Sequence, residues 1–358
     1  MTSTPSDMVD ALQSAAPVTV REFRSGDAAA WDEFVMSVPD GTFFHLSGWK
    51  SIVEQVFRHR TRYLLAERGG RIIGVLPLAE VRSRLFGHSV SSLPFCVYGG
   101  CAVADEGAIA PLHDAAAEFA GETGADYLEL RNFASREPAW PRQDLYVTFR
   151  KVIDPDVEAN MLAIPRKQRA MVRKGIKAGL RTEVDATVDR FFDLYADNVH
   201  RHGTPPFPKR YFEVLKASFG DRCEPLIVLD GEGRPVSGVL SFYFRDEVLP
   251  YYAGDVTAAR DLAANDFKYW DLMRRACERG CRIFDYGRSK RGTGSFDFKK
   301  NWGFEPTPLS YEYQLLNVDR VPENNPLNPK YQLFIRAWRR MPRPVVNAIG
   351  PWIVRNLG

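Results

Sequence analysis

No stretch of this sequence approaches the ~20 consecutive apolar residues that a bilayer-spanning helix needs. Its five cysteines, Cys96, Cys101, Cys223, Cys277 and Cys281, form no CxxC pair and no Cys/His cluster of zinc spacing. Such an odd, scattered set argues against a disulfide framework and fits a reducing compartment. The first 17 residues lack the basic start and apolar middle of a signal peptide. They are rich in Ser, Ala and Pro and read as a disordered N-terminus. The expected location is the cytoplasm, with peripheral contact at the inner membrane as an option for the C-terminal tail. A Ser/His/Asp set is also missing, so nothing argues for a covalent intermediate. His200 and His202 flank Arg201 without a third ligand, and no metal is implied.

Acidic residues are absent from two segments. Residues 166–181 carry seven Lys/Arg and residues 330–358 carry six, with no Asp or Glu in either. The formal charge of the 358-residue chain is +3, so the remainder is near −10 (3 minus 13). An acidic body with two basic segments predicts local anionic partners rather than a DNA-binding coat. The composition is otherwise ordinary, 45% hydrophobic and 26% charged, enough for two cores.

What is present is a repeat. Tyr63-Leu-Leu-Ala-Glu-Arg-Gly-Gly-Arg-Ile-Ile-Gly-Val-Leu76 and Pro225-Leu-Ile-Val-Leu-Asp-Gly-Glu-Gly-Arg-Pro-Val-Ser-Gly-Val-Leu240 each read as a hairpin. One glycine interrupts each second strand, Gly74 or Gly238, predicting a bulge or a close backbone approach. A further strand is expected at 90–103 and again at 248–254. Helical spacing follows at 112–122 and 267–278, each run stopped by a glycine. Then Glu122-Thr-Gly-Ala-Asp-Tyr-Leu-Glu-Leu130 aligns with Glu278-Arg-Gly-Cys-Arg-Ile-Phe-Asp-Tyr286. A duplicated unit of this length is a domain rather than a solenoid repeat. The predicted class is α/β (α+β), each domain a mixed central sheet flanked by helices. The predicted layout is a first domain at 18–150, a second at 151–318, and a linker with a basic amphipathic tail at 319–358. Asn and Pro cluster at 322–329 in that linker.

Three motifs resemble the Fem family of tandem GNAT-fold transferases. They are Phe43-Phe-His-Leu-Ser-Gly-Trp49, the basic stretch 164–179, and Phe284-Asp-Tyr-Gly-Arg-Ser289 continuing through Gly294-Ser-Phe-Asp-Phe-Lys-Lys-Asn-Trp-Gly-Phe304. The likeness covers about residues 40–316 and is most specific in the last motif. The chain also resembles Fem-like proteins associated with exopolysaccharide and PEP-CTERM sorting systems. The resemblance implies transfer of an aminoacyl or acyl group onto a cell-envelope glycan precursor, of peptidoglycan or exopolysaccharide. It implies no cofactor, only an acyl donor as co-substrate, aminoacyl-tRNA or acyl-CoA. The implied partners are a glycan or lipid-linked precursor and the acceptor end of a tRNA.

Within the closing motif, glycines 287, 292 and 294 let backbone amides approach an anion, among Arg288, Lys290, Arg291, Lys299 and Lys300. The resemblance makes Lys299 the stabiliser of the tetrahedral oxyanion, a task in which one donor is worth roughly 3 kcal/mol. Asp285 at the strand end is a candidate proton acceptor from an amine, or a partner for a nearby arginine. Arg288, Ser289 and Lys300 are substrate-binding candidates beside it. On the basic stretch, Lys167, Arg169, Arg173 and Lys174 lack i,i+4 acids and repel one another, a cost that bound phosphates would offset. A solvated face is the plainer alternative. Tyr252 is a candidate wall of the acceptor groove, and Thr204-Pro-Pro-Phe-Pro208 either covers the site or only connects helices.

A CoA-binding loop should read Q/R-x-x-G-x-G/A before the main helix, where amides hold a pyrophosphate. Here Arg260-Asp-Leu-Ala-Ala-Asn265 has Ala263 and Asn265 in the glycine places. An aminoacyl or other non-CoA donor is therefore favoured. The rivals are an N-acyltransferase using acyl-CoA or acyl carrier protein, and a silent adaptor in polysaccharide assembly or protein sorting. The first copy carries Asn132-Phe-Ala-Ser-Arg-Glu137 in place of the closing motif and is expected to be structural or substrate-holding. The tail interleaves Phe334, Ile335, Trp338, Trp352 and Ile353 with arginines, a pattern suited to an anionic membrane interface or to docking on protein.

Overall fold

The computed structural model describes residues 16–83, 87–321 and 329–356. The N-terminus read as disordered lies outside the described residues as far as residue 15, and the linker lies outside them at 322–328. Two compact units form. One comprises Met1–Gln143, Leu309–Val321 and Asn356–Gly358, the other Asp144–Pro308 and Pro322–Arg355.

The first unit begins with β1 (Thr19–Glu22), α1 (Ala28–Ser37) and α2 (Gly48–Ile52, prolonged by a π turn at Val53–Phe57). Then come β2 (Thr61–Arg68), β3 (Arg71–Ser83), β4 (Gly87–Ser91), β5 (Ala102–Val103), α3 (Ile109–Thr123), β6 (Tyr127–Asn132) and β7 (Arg142–Gln143). α3 stops at Gly124, whose φ of +69° is the left-handed C-cap a glycine takes freely. The single strand expected at 90–103 is corrected to β4 and β5 with a loop between them. Leu93 and Phe95 adopt positive φ there, which no strand allows.

The Phe43–Trp49 motif turns out to be core. Phe43, Phe44, Leu46 and Trp49 are buried. Buried His45 accepts at Nδ1 from the Thr42 N–H, which leaves Nε2 to donate to the Gly100 carbonyl. Trp31 and Trp49 give their indole N–H groups to the His45 and Phe43 carbonyls. Buried indoles find acceptors in this way, and the motif ties α1, α2 and the loop before β5 together.

The second unit runs β8 (Tyr146–Val152), α4 (Val157–Ala163), α5 (Arg166–Lys177), β9 (Arg181–Val184), α6 (Asp189–His202), α7 (Lys209–Phe219), β10 (Cys223–Leu229) and β11 (Pro235–Phe244). It continues with β12 (Glu247–Asp255), α8 (Ala264–Glu278), β13 (Ile283–Lys290), α9 (Gly294–Asn301) and β14 (Pro306–Pro308). After β14 the chain supplies β15 (Ser310–Leu315) to the first unit, then α10 (Pro329–Arg340) and α11 (Arg343–Val354) to the second.

The first sheet is ordered β1-β2-β3-β4-β6-β15-β7, with β5 beside β3, and the second β14-β8-β13-β12-β11-β10-β9. Each holds one parallel pair, β4 with β6 and β12 with β13, bridged by a helix. Each parallel pair is flanked by an antiparallel strand from outside the repeated unit. β8, which follows the first unit, pairs with β13, and β15, which follows the second, pairs with β6. The sequence layout breaks at 150/151 and runs the second domain to 318. The compact units differ through this exchange of strands, which local periodicity does not encode.

Close approach explains the repeat glycines. A Cβ on Gly74 would stand 2.9 Å from the Ala108 Cβ, and one on Gly238 would stand 3.1 Å from Leu194 Cδ1. Gly254 on β12 is more demanding, since a Cβ there would lie 2.4 Å from the Leu194 carbonyl carbon and the Tyr195 nitrogen. Backbone of α6 thus rests on β12 with no room for a side chain. Gly254→Ala should cost roughly 1–3 kcal/mol of stability, the range for overpacking a core. Urea denaturation measures it, and an unchanged midpoint would contradict this packing.

Candidate active site

β12 and β13 run parallel yet share only two registered pairs, Glu247 with Ile283 and Val248 with Phe284. Beyond these each follows its other neighbour, and both carry an irregularity where they part. On β12 the register with β11 shifts between Leu240 and Ser241, so that Tyr251 is the extra residue beside Pro250. On β13 the register with β8 shifts between Asp285 and Arg288. Bulges re-aim strands at such points. The closing motif is therefore no glycine-broken loop after Tyr286, as the sequence suggests. β13 continues to Lys290 through a bulge at Gly287, whose φ is +64°.

α9 fixes that bulge. Thr293 caps the helix by accepting the Phe296 N–H. This directs Lys299, in the last turn, back beneath β13. Its ammonium donates to the carbonyls of Tyr286 at 2.7 Å, Gly287 at 3.1 Å and Arg288 at 3.2 Å. The Phe149 and Tyr286 rings lie 5.6 and 5.8 Å away, within cation–π range. Only 7% of the residue is exposed. Burial pushes its pKa down to about 7, against the opposing charge of Asp285. An ammonium has three donors, and all three are engaged. In this arrangement Lys299 holds the edge of β13.

Asp285 flanks the same bulge. It is 1% exposed. Its Oδ1 accepts from the Gly287 N–H at 2.7 Å and from Thr148 Oγ1 at 3.4 Å, and its Oδ2 faces Arg150 Nε at 3.3 Å. Arg150 also pairs with Glu247, whose carboxyl burial holds above its usual pKa. A carboxylate so enclosed is poorly placed to take a proton from a substrate amine. It clamps the bulge from the side opposite Lys299.

Around this clamp, the Arg288 guanidinium lies over Tyr146, 4.5 Å from the ring centroid. Ser289 is buried with its hydroxyl 3.0 Å from that of Ser295. Lys300 is exposed. Tyr252 on β12 shares a 2.8 Å hydroxyl–hydroxyl hydrogen bond with Tyr211. Tyr211 is a residue the sequence reading misses, and its signal lies in the aromatic spacing of Phe207 and Tyr211 after the proline-rich loop. Phe207 packs on both tyrosines, at 4.7 and 5.7 Å between centroids, so residues 204–208 cover this aromatic cluster. A second missed group is buried Lys268, whose ammonium meets Asp255 at 2.8 Å, with the Ser237 hydroxyl on the same carboxylate oxygen.

Helix α5 forms a separate group. Val172 is buried, and Gly175 lets α5 approach α8 so closely that a Cβ would stand 2.7 Å from that of Phe267. The docked face turns Lys167, Arg173 and Lys174 outward, exposed, while half-buried Arg169 donates to the Leu162 carbonyl. None of these four cations makes an ion pair among the described residues. Nor does any group of three or more His, Cys, Asp or Glu there have the arrangement of a metal site.

The corresponding region of the first unit is filled. The loop after β4 hydrogen-bonds β6 through Ser92, Gly99 and Gly100. Arg131, paired with Glu129, donates to the Leu93 and Cys96 carbonyls. Loop 132–137 wraps the fully buried carboxylate of Glu312 from β15. That carboxylate accepts from the Asn132 amide and the Ser135 hydroxyl, and from the Arg136 and Glu137 N–H groups. Donors that would meet a bound anion meet this side chain instead.

The fold is a pair of GNAT-type domains in tandem. The acetyltransferase (GNAT) domain family model matches residues 166–300, within the second unit. A UDP-N-acetylmuramoylpentapeptide-lysine N(6)-alanyltransferase of Weissella viridescens is 24% identical over 119 residues, 32% of this chain and 35% of the relative. The chain thus matches about a third of that enzyme's length. Among solved structures, FemX aligns with a TM-score of 0.64 at 17% identity, covering 88% of this chain and all of FemX. The C-terminal domain of a putative lysylphosphatidylglycerol synthetase from Agrobacterium fabrum gives 0.56 at 13% identity, covering 81% and 91% of the two chains. A tandem GNAT protein of clavulanic acid biosynthesis gives 0.54 at 12%, covering 85% and 100%.

Replacing Lys299 by Met leaves three strand carbonyls without their donor and should cost roughly 1–3 kcal/mol in chemical denaturation. The pH dependence has a definite sign. Lys299 has a folded pKa near 7 against an ordinary 10.5, so between these values the unfolded chain binds more protons than the folded one. This group's contribution to stability therefore rises with pH across that window. The gap between wild type and Lys299→Met should widen from pH 7 to pH 10, and a narrowing gap would contradict the assignment.

Proposed function

We propose that the protein is a Fem-like acyl or aminoacyl transferase acting on an amine or hydroxyl of a cell-envelope glycan precursor. The observation that carries this reading is the parting of the bulged strands β12 and β13. Beyond Val248 and Phe284 each strand keeps register with its other neighbour and no longer with the other. Peptide N–H groups facing such a gap are suited to the oxyanion of a tetrahedral acyl-transfer intermediate. The Lys299–Asp285 clamp holds the β13 edge in place, so no step of reorganisation falls at the moment of reaction. Arg288 and the Tyr211–Tyr252 pair line the approach, and the α5 cations receive a phosphate-bearing substrate. The local match to an alanyltransferase supports an aminoacyl donor and a peptidoglycan precursor. An exopolysaccharide acceptor, a lipid-linked acceptor and the acceptor end of a tRNA remain within the same proposal. The reaction would be cytoplasmic.

One observation favours a second reading, transfer from acyl-CoA. Ala263, in a place where CoA-binding loops carry glycine, still adopts φ +56° before α8. The loop keeps the left-handed backbone that glycine takes without strain, at about 1–2 kcal/mol for an alanine. Asp266 in the first turn of α8 weighs against it, since a carboxylate there competes with a pyrophosphate for the helix N-terminus.

Turnover of labelled aminoacyl-tRNA and acyl-CoA with muropeptide and exopolysaccharide acceptors separates these readings. Lys299→Met should lower the transfer rate by roughly 100-fold, as misplacement of a reacting edge does, while acceptor binding holds. A Lys167→Ala, Arg173→Ala, Lys174→Ala triple variant should raise KM for the anionic substrate by about tenfold or more, each exposed charge–charge contact being worth roughly 0.2–1 kcal/mol. Its kcat should stay close to wild type. Absence of turnover with every donor would favour a silent adaptor in polysaccharide assembly.

A further inference from the structure

We propose that α10 and α11 present a docking surface for an anionic lipid bilayer, on which the two helices lie flat. The argument starts from α11. Between Arg343 and Arg355 it carries no charge. Val346, Gly350 and Val354, at i, i+4 and i+8, form its buried stripe. Val345, Ile349 and Trp352, at i, i+4 and i+7, form a second stripe left 43%, 39% and 62% exposed. A helix apolar on all sides is normally enclosed on all sides. This one is enclosed on one side only.

The enclosed side is firmly seated. A Cβ on Gly350 would lie 2.5 Å from Pro206 Cδ, and one on Gly203 would lie 2.6 Å from Ile335 of α10. Trp338 is fully buried, and Arg343 pairs with Asp197 of α6 at 3.4 Å. The outer stripe is therefore held outward by the fold. The sequence's alternatives for this tail, docking on the protein or facing a membrane, fall on opposite faces of the same helices.

The rest of the surface has the matching charge. Phe334, 39% exposed, stacks on Trp338 at the margin of the seated face, and exposed Arg336 and Arg340 lie on the outer side of α10. Residues 330–358 hold six Lys/Arg and no acid. Of ten large hydrophobics notably exposed among the described residues, four (Phe334, Val345, Ile349 and Trp352) belong to these helices. Arginines around an exposed tryptophan and aliphatic stripe suit the interface of an anionic leaflet. A two-fold pairing with a second copy would instead set this all-basic surface against itself. Twelve residues make a helix of about 18 Å, short of the ~30 Å hydrocarbon core, so the helices lie along the surface. No helix among the described residues is long and apolar enough to cross.

The test is sedimentation of the full chain with vesicles of phosphatidylcholine, alone or mixed with phosphatidylglycerol. Binding should require phosphatidylglycerol and weaken with salt. Val345→Ser, Ile349→Ser and Trp352→Ser combined should reduce it about tenfold or more. Arg336→Gln and Arg340→Gln should each reduce it roughly fivefold. All these side chains are exposed, so melting temperatures should hold, and turnover of a soluble acceptor should be unchanged, which separates this proposal from the transferase reading. Failure to bind phosphatidylglycerol vesicles, or binding indifferent to the triple substitution, would overturn it. So would a dimer in light scattering that Trp352→Ser dissociates without any lipid binding.

Discussion

Three carbonyl groups in a row, those of Tyr286, Gly287 and Arg288, point at one ammonium. A regular strand would direct successive carbonyls to opposite sides and offer no such focus. The bulge at Gly287 creates it, and a buried lysine satisfies it. On the other flank Asp285 takes the Gly287 N–H. Each charged group is costly to bury alone, and each compensates the other and the distorted backbone between them. The path of β13 beyond Phe284, and with it the separation from β12, follows from this arrangement.

The two units use the same scaffold to opposite ends. In the first, the loop after β4 and the Glu312 carboxylate fill the ground beside β6, and Arg131 knits the filling to the strand. In the second, the corresponding strand bulges away under the control of α9. The duplication thus keeps the sheet order and the crossover helix while changing what sits where the parallel strands part. The first sheet takes β15 from beyond the second unit, whereas the second sheet draws all its strands from 144–308. A chain cut after Gln143 therefore leaves the first sheet without β15.

Much of this is legible in the sequence because it is local. Helical spacing gives most of α3 and α8, at 112–122 and 267–278, and the glycine stops give their ends. What is not legible depends on distant partners. Gly287 reads as a loop signal, and only the pairing of Arg288–Lys290 with β8 turns it into a bulge. Lys299 is found by motif, but its role follows from which atoms lie around its ammonium. Tyr211 escapes notice because a tyrosine on an amphipathic helix is ordinarily core, and its hydrogen bond to Tyr252 spans 41 residues. In the tail, composition shows a basic amphipathic pattern, whereas the division into a seated face and an open face needs the packing of Gly350 on Pro206.

The central claim is that the group to be transferred sits between β12 and β13 of the second unit and nowhere in the first. A crystal structure with a stable amide-linked mimic of an aminoacyl-tRNA end, alongside one with a non-transferable acyl-CoA, tests it most directly. The account predicts the acyl group between residues 249–255 and 285–290, with the Lys299 ammonium still on its three carbonyls. An acyl group seated beside β6 of the first unit, or a Lys299 released from β13 to contact the ligand, would contradict it.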